Sequence, residues 1–74
     1  MHFLNLKVFC DLVETGSFSV AADRNHITQS AVSQQIKLLE EQIGFALFDR
    51  RGRRVVLNPA GAALLRAVEP ALGQ

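Results

Sequence analysis

One stretch, residues 28–44, TQSAVSQQIKLLEEQIG, constrains this chain more than any other. Val32, Ile36, Leu39 and Ile43 recur at i, i+4, i+7 and i+11, one stripe of a 3.6-residue helix. Thr28 suits the N-cap, where its hydroxyl can accept from an unpaired first-turn N–H. Gly44 suits the stop, because glycine enters the left-handed region without a Cβ penalty. Ser30, Ser33, Gln34 and Lys37 fall on another face. The first two turns therefore show amides and hydroxyls where a solvated helix more often shows Glu and Lys. Such a face is suited to reading a polar surface.

The chain has 74 residues, about half of them hydrophobic and a fifth charged. That is one small domain, able to bury roughly 60% of its unfolded surface without metal or disulfides. The single cysteine, Cys10, cannot form an internal bridge and is expected as a small buried hydrophobe. With no signal peptide and no apolar run of membrane-spanning length, the expected setting is cytoplasmic and reducing. Net charge is only +1, but it is uneven. Residues 1–44 carry three cationic side chains against five carboxylates, and residues 45–74 carry five against two. Four of those five are Arg50, Arg51, Arg53 and Arg54. A basic tip on a near-neutral domain favours a polyanionic partner.

Taken in order, Phe3–Thr15 is expected as a first helix, with Leu6, Phe9 and Val13 as its stripe, Leu12 beside it and Gly16 at its end. Ser17 caps a short second helix over residues 18–24, where Val20, Ala21 and Ala22 are small enough for close helix approach. Asn25-His26 is a polar break, with Asn25 the residue expected to tolerate a left-handed conformation. Ile27 re-enters the core before the Thr28 cap. Two helices joined by a tight turn, the second displaying the amide face, are the sequence form of a helix-turn-helix. Residues 47–50 and 54–57 are short β-prone runs, and Gly52 between Arg51 and Arg53 marks a hairpin turn. Asn58-Pro59 opens a last helix as N-cap and first residue. That helix is apolar nearly all round, and Pro70 is expected to kink or end it.

The order of elements is that of a winged helix-turn-helix, mainly α with a small β-hairpin, followed by a linker helix. The runs GSFSVAA at 16–22, TQSAVSQQI at 28–36, LE at 39–40, Gly44, LFDR at 47–50, GRRVVL at 52–57 and PAG at 59–61 resemble the N-terminal DNA-binding domain of LysR-type transcriptional regulators. The resemblance covers nearly the whole chain. It implies a winged helix-turn-helix over residues 1–58 and the start of a linker, dimerisation helix over 59–74. It also implies a recognition helix beginning near Thr28, and a longer protein with a C-terminal domain for a small-molecule effector. Two departures stand out. Arg24-Asn25 occupies the end of the second helix, where the family usually has leucine, so that core contact is expected either to be weaker or to be made by Ile27 and the Arg24 stem. Asn58 replaces the usual threonine cap.

The expected DNA contacts are Thr28, Gln29, Ser30, Ser33, Gln34 and Lys37 from the helix and Arg51, Arg53 and Arg54 from the wing. Glutamine amides carry a donor and an acceptor that suit adenine N6 and N7. Thr28, Ser30 and Lys37 are better suited to phosphate, and Arg53 to a narrow minor groove. Arg50 is expected to be structural, paired with Asp49 or a helix carboxylate. His26 is expected as a turn residue. Leu64, Leu65, Val68 and Leu72 exceed what a small core can cover, so a homodimer through the last helix is expected. Two histidines far apart and one cysteine make no metal set, and no cofactor is implied. A nucleophile–base–orienter combination is not visible, which argues against an enzyme. The competing class is a winged helix used for protein–protein contact, which would show no salt-dependent affinity for duplex DNA.

Overall fold

Side-chain caps fix where the helices begin. The computed structural model describes residues 3–68. In chain order they form α1 (Phe3–Thr15), α2 (Phe18–Asn25), α3 (Gln29–Ile43), β1 (Phe48–Arg51), β2 (Arg54–Leu57) and α4 (Pro59–Val68). Ser17 Oγ accepts from the Val20 N–H at 3.1 Å, Thr28 Oγ1 from Ala31 at 3.0 Å, and Asn58 Oδ1 from Gly61 at 2.8 Å. Each supplies the acceptor that a first-turn N–H otherwise lacks. The result is a mainly helical winged helix-turn-helix with one two-stranded antiparallel sheet.

The core is Val8, Phe9 and Leu12 of α1, Ala21 and Ala22 of α2, Val32, Ile36 and Leu39 of α3, with Leu47, Val55 and Val68. On α1 the buried arc is turned from the expected stripe towards Val8, and Leu6 and Val13 are only partly covered. The reason is that α1 touches α2, α3 and β2, so a stripe drawn for one neighbour is too narrow. On α2 the close approach is made by the two alanines, while Val20 remains exposed. The Phe9 and Phe48 rings meet tilted, 5.5 Å between centroids, and join the hairpin to the three-helix core.

The α2–α3 turn departs from expectation in one residue. His26, not Asn25, takes the left-handed conformation (φ 56°, ψ 40°). Asn25 stays helical because its amide is committed: Nδ2 donates to Asp11 and to the Ala21 carbonyl, both at 2.8 Å, and Oδ1 accepts from Lys7. Ile27 is half-buried against the core, whereas Arg24 is exposed. At this corner the core contact is made by Ile27, only partly buried, and not by the Arg24 stem.

Between α3 and the hairpin the chain is held at Ala46 and Leu47. Glu40 Oε2 accepts the Leu47 N–H at 2.8 Å, the Leu47 carbonyl accepts from Asn58 N at 3.0 Å, and Asn58 Nδ2 donates to the Ala46 carbonyl. Gly61 lets α4 lie on this segment: a Cβ there would stand 2.2 Å from the Leu47 carbonyl oxygen. The strands pair Phe48 with Leu57 and Arg51 with Arg54, leaving Gly52-Arg53 as a two-residue turn. Gly52 has φ 62° and Arg53 does not have positive φ, the arrangement of a type II′ hairpin turn.

Along α4, Leu64 and Leu65 pack partly buried against the core, and Val68 lies within it. The apolar stripe expected for a partner is therefore already part-covered by the chain itself. Pro70 and Leu72 lie outside the described residues. Among the described residues no helix is long and apolar enough to cross a membrane.

Candidate nucleic-acid interface

Capping places the polar face of α3 at its first two turns. Thr28, Gln29, Ser30, Ser33, Gln34 and Lys37 are all exposed. Core packing of Val32, Ile36 and Leu39 fixes the helix, so these side chains have no alternative but to face outward. The Thr28 hydroxyl oxygen is occupied by the Ala31 N–H, which leaves its proton to donate.

Register decides where each hairpin arginine goes. Side chains alternate across a strand, so Phe48 and Arg50 share one face with their partners Leu57 and Val55. Arg50 is thereby carried over the body of the domain, its guanidinium carbon 5.1 Å from the centroid of the Phe18 ring. Asp49 and Arg51 take the opposite face. Arg51 and Arg54 are direct register partners beside the turn, a like-charge pair that a sheet does not favour by itself. The Arg54 guanidinium lies back along the α1–α2 turn, with Nη2 3.0 Å from where a Gly16 Cβ would be. Val55 N donates to the Gly16 carbonyl at 3.3 Å and fastens β2 to the same turn. Among the described residues, none of the four wing arginines is paired with a carboxylate.

The helix face and the wing meet in one groove. Phe18, Ser33 and Arg50 are common to its two adjoining hollows, one completed by Gln29 and Ser30 and the other by Ile36, Lys37, Glu40, Phe48 and Val55. Of the sequence-predicted contacts, Gln29, Ser30, Ser33 and Lys37 converge here. Gln34 projects elsewhere on α3, and Arg51, Arg53 and Arg54 belong to the hairpin outside this groove. Phe18 and Arg50 also line it, although neither is among the contacts expected from the sequence. Arg50 meets a ring where a carboxylate partner was expected, and its position was recoverable from the two-residue alternation with Phe48.

The chain resembles proteins with the same organisation. The profile of the family described as "Bacterial regulatory helix-turn-helix protein, lysR family" matches residues 3–62. An uncharacterised HTH-type transcriptional regulator in the ibpB-leuC intergenic region of Azotobacter vinelandii is 52% identical over 65 residues, 88% of this chain and 45% of that protein. The HTH-type transcriptional regulator MetR of Haemophilus influenzae is 48% identical over 66 residues, 89% of this chain and 21% of that protein. The chain thus spans less than half the length of these two relatives. A crystal structure of the CbnR DNA-binding domain in complex with DNA superposes with a TM-score of 0.90 at 35% identity, over 97% of this chain and 83% of that one. On the profile, the relatives and the fold together, this chain belongs to the lysR family of bacterial regulatory helix-turn-helix proteins.

Proposed function

We propose that the chain binds double-stranded DNA in a sequence-specific manner, as the DNA-binding part of a cytoplasmic bacterial transcription regulator and not as an enzyme. The observation that carries this reading is the shared groove, where an amide- and hydroxyl-bearing helix face meets a hairpin whose arginines have no carboxylate partners. The major groove admits an α-helix, and residues near its N-terminus reach base edges. Gln29 and Gln34 read bases, and Ser33 is short enough to let the helix approach. Thr28, Ser30 and Lys37 hold phosphates. Arg51, Arg53 and Arg54 add phosphate or minor-groove contacts, with Arg53 the residue for groove entry. Residues 1–58 form the binding unit and residues 59–74 begin the linker helix. In the longer protein that the two relatives imply, a further domain would sense an effector.

Base reading is tested by measuring Gln29→Ala, Gln34→Ala and Lys37→Ala against single-base variants of a selected binding sequence. Each glutamine variant should lose about 1–3 kcal/mol of discrimination at one base pair, whereas Lys37→Ala should weaken all sequences alike. Uniform loss in both glutamine variants would mean that this face only grips the backbone.

The same reading extends to a homodimer whose linker helices lie side by side, using Leu64, Leu65, Val68 and Leu72, the last outside the described residues. Val68, already buried in its own core, contributes least. Sedimentation of the wild type at rising concentration, and of Leu65→Glu, gives the answer. A wild type that stays monomeric throughout would sink the dimer.

A further inference from the structure

We propose that Arg50 is a phosphate contact in its own right, positioned beside the recognition helix by Phe18. The inference rests on the DNA-binding reading above. Three observations converge on it. Strand alternation carries Arg50 inward, on the face of Phe48 and Val55, yet the side chain remains exposed. Its guanidinium carbon sits over the Phe18 ring, 5.1 Å from the centroid, within the range of a cation–π contact. A guanidinium carries five N–H donors, more than one ring contact can occupy, so some remain to meet an outside acceptor. Of the two hollows that Arg50 lines, one holds Gln29, Ser30 and Ser33 with no carboxylate, and the other holds Lys37 and Glu40.

The acid of that second hollow is Glu40, and its carboxylate already accepts the Leu47 N–H. Among the described residues no ion pair joins it to Arg50. Arg50 therefore lies beside the helix with no carboxylate partner among the described residues. A duplex phosphate flanking the helix in the major groove supplies a partner anion. Phe18 is a positioning residue in this account: it touches the cation and not the DNA.

Because a phosphate contact is independent of sequence, the test uses the whole chain and a mixed-sequence duplex of about 30 base pairs, with affinity followed by fluorescence anisotropy between about 20 and 200 mM NaCl. Arg50→Ala should reduce the salt slope by about one and weaken binding roughly three- to ten-fold, with an unchanged far-UV spectrum. Arg50→Lys should keep the slope and lose part of the affinity, since it retains the charge without the planar fork. Phe18→Leu should weaken the wild type and leave Arg50→Ala no weaker. Neither arginine variant removes a core side chain, so the slope decides the matter even where Phe18→Leu folds poorly. An unchanged slope in Arg50→Ala overturns the contact. Equal losses from Phe18→Leu in both backgrounds overturn the positioning. A wild type with no salt-dependent affinity overturns the DNA-binding reading itself, a result recognisable before any variant is made.

Discussion

Charge is handled in opposite ways between α1 and α2 and around the hairpin. On the helix side, Asp11 accepts from Lys7 at 3.0 Å and from Asn25 at 2.8 Å, and lies 3.5 Å from Arg24. Arg24 also pairs with Glu14. Every charge of that cluster is answered within the chain. Around the hairpin, Arg50 meets an aromatic ring, Arg54 lies over a glycine, and no described carboxylate answers any of the four arginines. The same residue type is thus consumed by the fold in one place and left for an outside anion in the other. The difference teaches that arginine count says little about function until the carboxylates around it are placed.

The comparison is broken most forcefully at the wing. Replacing Arg51, Arg53 and Arg54 together by alanine should reduce the salt slope of DNA binding by about three and cost roughly a hundred-fold or more in affinity near 0.1 M salt. Stability should hardly change, and thermal unfolding would even rise slightly as the Arg51–Arg54 repulsion is relieved. A variant that bound with the wild-type slope would show that these charges face something other than DNA.

Asp11 supplies the opposite experiment. Burial raises its pKa, but hydrogen bonds from Lys7 and Asn25 and the charges of Lys7 and Arg24 outweigh that and hold the carboxyl below its ordinary value. Arg24 is raised above its already high value, chiefly by the hydrogen bond to Glu14, so it stays charged throughout. A carboxyl with a depressed folded pKa stabilises the native state above its unfolded pKa, and that contribution is lost as pH falls through the folded value. Asp11→Ala should cost about 1–3 kcal/mol near neutrality, since it leaves Asn25 and Lys7 without their acceptor. The gap between variant and wild type should close in acid, below the ordinary carboxylate range. Denaturant melts across pH measure this, and the salt slope for DNA should stay at its wild-type value. A slope change as large as the wing's would erase the distinction between the two regions.

Much of this was legible in the sequence because it depends on local chemistry. Caps at Ser17, Thr28 and Asn58, the apolar stripe of α3 and the Gly52 turn each act within a few residues. The parts that were not legible depend on tertiary neighbours. Val8 is buried because α1 has three packing partners, which no single-helix pattern records. Gly61 looked like an ordinary member of PAG, and its need appears only where α4 meets the Leu47 carbonyl. Arg50 was within reach, since its parity with Phe48 fixes its face. Its ring partner, Phe18, stands far away in sequence and could not be paired with it from spacing alone.

The smallest effect is expected at the turn between α2 and α3, and it separates fold from charge most cleanly. His26 is exposed and is the sole described non-glycine residue with positive φ. A left-handed conformation costs an L-residue about 1–2 kcal/mol, and glycine avoids that cost. Glycine also gains freedom in the unfolded chain, which takes back about 0.5–1 kcal/mol. His26→Gly should therefore stabilise the domain by roughly 0.5–1 kcal/mol, or a melting temperature higher by about 2–8 °C for a domain of this size. The backbone bond from Ile27 N to the Ala22 carbonyl, which closes the turn at 3.1 Å, does not involve the side chain and should persist. DNA affinity and its salt slope should not move, because His26 belongs to neither charge cluster. A lower melting temperature would show that the imidazole makes a contact worth more than the strain, and the turn would then join the paired side of the molecule.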